Sequence, residues 1–276
     1  MKSYRIAVFS RAPNRGNHCL VYLVSDELTT DEMQSMAASA GLSETAFLCL
    51  QDNKAILRIF SPLREMTSCL HATLAACYVM QHEAPSYDLY FNEHLVAPQY
   101  VNGALALRVP LLPDAATGKA IGLGLRIQFA NALSLWAVAT ASHKLRLMIE
   151  YSDEQAVNAI HASSFANIAH FFPEVESFFV YALTTEPNTY VGRMFAPQLG
   201  IAEDPVNGNS CIALASILKA RTKGLEDLKV RQAHQCSVEI TIEKDNALVK
   251  ANCCIAETGT NNIEMSASIT HPVEKH

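Results

Sequence analysis

Long apolar runs are missing from this sequence: none approaches the ~18 consecutive apolar residues of a helical membrane span, so no membrane partner is expected. Grouped basic charge is missing too. The 21 Lys and Arg are scattered among 27 Asp and Glu, for a formal net charge of −6. The nearest thing to a basic cluster, Lys219, Arg221 and Lys223, falls at the end of an expected helix, where it complements the helix dipole. Nucleic acid binding, which needs clustered cations, is not expected. No GxGxxG follows a strand and there is no Walker loop, which removes the usual nucleotide cradles. HxH, HExxH and CxxC are absent despite 10 His and 8 Cys, so neither a metal nor an organic cofactor is expected. The opening MKSYRIAVFSRAPNRGN, with Arg5 and an early polar turn, does not fit a signal peptide. The cysteines lie mostly inside apolar runs, and buried reduced thiols in a cytoplasmic protein are the expectation.

What is present is a chain of 276 residues, half of them hydrophobic, in which strand-like and helical runs alternate. YRIAVF (4–9) and CLVYLV (19–24) read as strands, and Thr29 to Glu32 as a capping box whose helix stops at Gly41. TAFLCL and AILRIF pair across Gln51–Lys54, and Asn102-Gly103 marks a hairpin. After the turn-rich stretch 113–124, SLWAVAT and LRLMIEY read as strands, and a capping box at Ser152–Gln155 opens a helix to about His161. SFFVYALT and YVGRMFA follow as strands. SVEITIEK and ALVKANCCIA then pair across Asp245-Asn246.

Two segments differ from the rest. SCLHATLAACYVM (68–80) and NGNSCIALASILKA (207–220) start with polar or small residues and then turn apolar on nearly every face. A helix of that kind is surrounded by other structure rather than lying on the surface. The N-terminus of each exposes backbone N–H groups, and two such ends facing one another would hold an acidic ligand. Plain core packing explains the same pattern, and spacing alone favours it.

The ordered segments resemble the phenazine-biosynthesis PhzF-like family. FSRAPNRGNHCLVYLV is similar to its opening strand, Gly-Asn turn and second strand, and GLSETAFL to its L-S-E-T-A-F segment. LRIFSPLREMTSCLHATLAACYVM resembles R-I-F-T-P followed by C-G-H-A-T-L-A-A, and RMFAPQLGIAEDPVNGNS resembles R-M-F-A-P-G-L-G-I-P-E-D-P-V-T-G-S. VRQAHQCSVEI is similar to the R-Q-G segment, without the G-R-P-S that follows it in the family.

The resemblance implies an α+β, diaminopimelate-epimerase-like fold of two pseudo-symmetric lobes, each a sheet wrapped around a central buried helix. The expected lobes are 1–115 and 120–262, with a strand near 263–272 returning to complete the first. The implied activity is cofactor-independent proton transfer on a small anionic metabolite held between the lobes of a homodimeric isomerase. By the same resemblance Glu44 is the general acid/base, with His71 and Asp204 relaying the proton or anchoring substrate. Asn17, Cys69, Ala72, Thr73, Asn207, Gly208, Asn209 and Ser210 are the implied substrate-binding residues.

Several departures from the family pattern fall near the implied site. Leu70 replaces the glycine of C-G-H, Asn209 replaces the serine of T-G-S, and His18 follows Gly16-Asn17 where the family has proline. Leu70 and Asn209 favour a silent ligand-binding protein of the same fold, whereas retention of Glu44, His71 and Asp204 together favours an enzyme. A two-thiol racemase is not expected, because Pro205 stands where the second cysteine would be.

Overall fold

The computed structural model describes residues 1–25, 28–113, 115, 121–233 and 236–260. The first lobe begins with β1 (Lys2–Val8) and β2 (Asn17–Val24), followed by α1 (Thr30–Ser39). β3 (Glu44–Gln51), β4 (Lys54–Phe60) and the short β5 (Glu65–Met66) lead into α2 (Leu70–Glu83), after which come β6 (Asp88–Phe91) and β7 (His94–Leu95). The capping box of α1 forms as read: Thr29 accepts from the Glu32 amide and Glu32 from the Thr29 amide.

The second lobe opens with β8 (Gln99–Val101) and β9 (Ala104–Pro110), the Asn102-Gly103 hairpin, then α3 (Leu123–Gln128), β10 (Ser134–Ala139) and β11 (Leu145–Glu150). Two helices, α4 (Glu154–Asn158) and α5 (Ser163–Phe171), precede β12 (Val175–Leu183), β13 (Thr189–Ala196) and β14 (Ile201–Asp204). The central α6 (Gly208–Arg221) is followed by β15 (Asp227–Arg231), β16 (Ser237–Glu243), β17 (Asn246–Ala251) and β18 (Cys253–Thr260).

These strands make an eight-stranded sheet, β18-β1-β2-β3-β4-β6-β7 with β5 on β4, and a ten-stranded sheet, β10-β11-β12-β13-β15-β16-β17-β9-β8 with β14 on β13. α2 packs against β1 to β4, and α6 against β11, β16 and β17. Ten residues of each helix are buried, including every position from Leu70 to Cys77. No helix among the described residues is long and apolar enough to cross a membrane.

The sheets divide the chain differently from the expected boundary near residues 115–120. β9 pairs with β17 from Leu105↔Ala251 to Pro110↔Asn246, so the hairpin at residues 99–110 belongs to the second sheet. In exchange, β18 runs antiparallel to β1 and closes the first sheet. The expected return strand at 263–272 lies outside the described residues; the observed one comes directly after β17. ALVKANCCIA is therefore two strands broken at Asn252, where the chain changes sheets. The corner is tied by Arg11 Nε donating to Asn252 Oδ1 at 3.0 Å and the Ser10 amide donating to Asn252 O at 3.1 Å.

The second capping motif also differs. Asp153, not Ser152, caps α4 by accepting from the Ala156 amide at 2.8 Å, and the helix ends at Asn158 instead of His161. α3 and α5 were not expected. They cover the outer face of the second sheet over Phe129, Phe165, Phe178 and Phe195, with the rings of Phe165 and Phe195 stacked at 4.5 Å. The central core runs without interruption through both lobes, from Ile6 and Ile59 through both central helices to Val238 and Val249.

Candidate active site

The two central helices touch near their N-termini, and the residues there come from three chain segments. Glu44 is the first residue of β3, set beside β2 by the parallel pair Cys19↔Glu44. His71 lies in the first turn of α2, Asp204 ends β14, and Asn207 caps α6 by accepting from the Ser210 amide at 2.8 Å. All four side chains are buried.

Glu44 Oε2 and His71 Nε2 face one another at 3.5 Å. Neither atom has a hydrogen-bond partner among the described residues. Buried polar atoms are nearly always satisfied in folded proteins, so two orphans in one place mark a reactive or ligand-completed site. On its other side His71 Nδ1 is 3.3 Å from the Cys69 sulfur. Asp204 is held between the lobes: Asn17 Nδ2 donates to its Oδ1, and Asn207 Nδ2 donates to its Oδ2 at 2.8 Å. Asn17 also donates to Val206 O at 3.0 Å and accepts from Ser43 Oγ at 3.2 Å, which links the loop before Glu44 to the loop before α6.

This environment moves the proton equilibria together. Burial pushes the Glu44 carboxyl up to about 7, against the hydrogen bonds of Ser43 and Cys69, which favour its charged form. Burial, and then the charge of Glu44, push Asp204 up to about 7, against His71, Asn207 and the Val206 amide. His71 is pulled below its ordinary value by burial, while Asp204 works the other way. A neutral imidazole thus faces a carboxyl group that both takes and returns a proton near neutral pH.

A cavity of about 350 Å³ opens over this cluster. Glu44, Cys69, His71, Asn207, Gly208 and Asn209 line it. Other residues expected at the site are placed elsewhere. Asp204 and Asn17 are buried but are not among the lining residues, and Ser210 is buried in the first turn of α6. Ala72 and Thr73 point into the core: the Thr73 hydroxyl donates to Cys69 O at 2.7 Å, and the Ala72 amide donates to the Cys69 sulfur. The sequence reading passed over Gln232, whose side chain accepts from the Asn207 amide at 2.9 Å and braces the α6 loop. The VRQAHQ segment carried that signal. It also passed over Arg64, Arg146 and Glu176, which line the opposite wall.

Two of the departures from the family pattern, Leu70 and Asn209, meet each other. Leu70 packs on Gly208, where a Cβ would lie 2.6 Å from Leu70 Cδ2. The Leu70 amide donates to Asn209 Oδ1 at 3.1 Å, and Asn209 Nδ2 donates to Ser68 O at 3.3 Å. Asn209 therefore caps α2 from the other lobe, and the α2 end has one fewer free N–H for an anion. Losing a cap costs about 0.5–2 kcal/mol. Asn209→Ala is expected to lower stability by that amount in urea melts, and an unchanged midpoint would show that the contact is not energetically coupled to folding.

Glu44, Cys69 and His71 place one possible metal donor each within 4.8 Å of one another. Zinc accepts such a set only with the sulfur as thiolate. In the metal-free chain burial and the Glu44 charge hold Cys69 well above its ordinary pKa. A bound cation would reverse that, so the expectation of no metal rests on the missing ligand motifs of the sequence. Purified protein is expected to carry no stoichiometric metal by elemental analysis; one ion per chain would instead make this trio a metal centre.

Comparison with known proteins fits this picture. Residues 6–253 match the family described as phenazine biosynthesis-like protein. The chain belongs to the phenazine biosynthesis-like family. It is 29% identical over 242 residues to an uncharacterized isomerase of Pseudomonas aeruginosa, covering 86% of this chain and 87% of that one. It is 30% identical over 230 residues to the uncharacterized isomerase YddE of Escherichia coli, covering 75% of each. Among solved structures, a PhzF family protein of Enterococcus faecalis superposes with a TM-score of 0.76 over 94% of this chain and 97% of that one, at 22% identity. The two-lobed fold extends outside the family, to a probable proline racemase of Agrobacterium radiobacter with a TM-score of 0.60 at 10% identity over 95% and 93% of the two chains.

Proposed function

We propose that this member of the phenazine biosynthesis-like family is an isomerase that moves a proton within a small carboxylic acid bound between the lobes. The carrying observation is the buried Glu44 Oε2 and His71 Nε2, 3.5 Å apart at the cavity floor. The curated relatives named as isomerases support the same class.

The first two amides of α6, at Gly208 and Asn209, precede the capped Ser210 amide and hold the substrate carboxylate at the positive end of that helix. Glu44, as carboxylate, accepts a proton from a neighbouring carbon: the C–H bond breaks, an O–H bond forms on Glu44, and the electron pair spreads into the acid's carboxylate or conjugated system. Those amides stabilise the charge that develops. Return of the proton to the other face or to another carbon, from Glu44 directly or through His71, completes the isomerisation. Asp204 acts behind His71 as a charge and proton partner. No cofactor takes part.

The test is incorporation of solvent deuterium into a panel of small carboxylic acids, followed by mass spectrometry. Exchange of carbon-bound hydrogen is expected for at least one acid. No exchange across the panel, together with binding, would assign the protein to ligand binding without turnover, which is the reading that the Asn209 cap on α2 favours. Cys69→Ser is expected to change exchange by no more than about tenfold, less than the contribution of a general acid/base group. Complete loss in that variant would move the acid/base role from Glu44 to the thiol.

A further inference from the structure

The wall opposite Glu44 and His71 has its own chemistry, and it is built by β11 and β12. Leu145, Leu147 and Ile149 of β11 enter the outer aromatic cluster, so Arg146 and Met148 take the inner face by strand alternation. The parallel register of β11 and β12 jumps from Leu145↔Val175 to Arg146↔Ser177, which leaves Glu176 as the extra residue of a bulge. Bulges re-aim side chains. Here Glu176 lines the cavity, and the adjacent Ser177, fully buried, faces Arg146.

The charges on this wall do not balance. Glu176 is matched by Arg64 from the other lobe and by the Ser142 hydroxyl, all on its Oε2. Glu65 at the rim is taken by Arg58 at 2.7 Å. The half-buried Arg146 makes one hydrogen bond among the described residues, from Nε to Ser177 Oγ at 3.1 Å, and no ion pair. It is nonetheless within electrostatic reach of Glu176, Asp204 and Cys69, so it stands near the reactive cluster. A guanidinium whose Nε is fixed presents its two terminal nitrogens as a planar fork that matches a carboxylate. A surface arginine that merely lays its stem on apolar residues would turn this fork to water instead.

We propose that Arg146 receives a second carboxylate of the substrate, so that this site takes a dicarboxylic acid spanning from the α6 amides to the Arg146 fork. The proposal rests on the isomerase reading for the first carboxylate and for Glu44, and it adds the substrate class. The carbon that exchanges its proton lies between the two anchors, over Glu44. With a formal net charge of −6 the protein as a whole repels dianions, so any preference for one must come from a local site.

The experiment is calorimetric titration at fixed pH and ionic strength with three pairs of matched length: succinate and butyrate, glutarate and valerate, adipate and hexanoate. At least one dicarboxylate is expected to bind about tenfold or more tightly than its partner, the gain of one charge-assisted bidentate contact. Arg146→Gln is expected to erase that difference and Arg146→Lys to restore part of it, with melting curves confirming that both fold. Equal affinities within every pair, or a dicarboxylate preference that survives Arg146→Gln, would overturn the proposal. Should Arg146→Gln fail to fold, the wild-type ratios and Arg146→Lys decide by themselves. Deuterium exchange of the same acids separates this inference from the parent reading. Glu44-dependent exchange without a dicarboxylate preference sinks only the Arg146 anchor. An Arg146-dependent preference without exchange sinks only the isomerase.

Discussion

Glu44→Gln is expected to cut deuterium exchange by about a hundred- to ten-thousand-fold, the usual contribution of a general acid/base group. Glutamine keeps the shape of the side chain and the hydrogen-bonding capacity at the mouth of β3, but it does not accept and return a proton. Stability is expected to move in the opposite direction from activity, and in a pH-dependent way. Glu44 is held up to about 7 in the folded chain, against 4.5 for an ordinary glutamate. The folded state therefore binds more protons than the unfolded state between these values, and unfolding free energy falls as pH rises through that window. The contribution is fully present below 4.5 and is lost as pH passes 7.

Asp204 follows the same sign, and part of its upward displacement comes from the Glu44 charge. The two carboxyls therefore titrate as a pair, the first proton lost making the second harder to remove. In Glu44→Gln one of the two groups is gone and Asp204 ionises at lower pH. Melting temperatures measured from pH 5 to 8 should then show a shallower decline than in wild type. Retained wild-type exchange in a folded Glu44→Gln variant would remove this residue from the mechanism.

Much of this arrangement was legible in the sequence because it depends on local pattern. α2 and α6 announced themselves by apolar residues on all faces, and burial of ten residues in each follows from their central positions. Glu44, His71 and Asp204 were singled out as candidates through family motifs; by composition alone, a loop carboxylate before a strand reads as surface. What was not legible depends on long-range pairing. Nothing at Asn252 breaks the alternation of ALVKANCCIA, since the sheet change there is made by contacts from Ser10 and Arg11, more than 240 residues away in the chain. The hairpin at Asn102-Gly103 was visible, but not which sheet it would join. Arg146 is a single charge in an apolar strand, and its meaning appears only when the β12 bulge puts Glu176 and Ser177 on the same wall. Leu70 and Asn209 looked like two separate losses and are one contact, with Asn209 capping the helix that Leu70 begins.

Gly192→Ala is expected to destabilise the fold by about 1–3 kcal/mol, the usual cost of overpacking a filled core. An alanine in a strand interior normally gains about 0.5–1 kcal/mol over glycine, so backbone preference alone predicts the opposite sign. The deciding term is steric. A Cβ at Gly192 would lie 2.3 Å from Phe179 Cζ and 3.0 and 3.1 Å from the two Cε atoms, so it meets the end of the ring. Phe179 is fully buried and stacks on Tyr181 at 6.2 Å, which leaves the ring no free direction. Relief must come from β13 itself, whose Met194 pairs with both Phe179 and Asp204 and lines the cavity. The strain therefore reaches the candidate site, and exchange is expected to fall along with the melting temperature. Phe179→Leu in the same chain removes the obstructing ring atoms, so the double variant should lose less stability than the two single losses combined, a coupling measurable by a double-mutant cycle. A Gly192→Ala protein that melts at or above the wild-type temperature would show that the ring does not rely on the missing side chain.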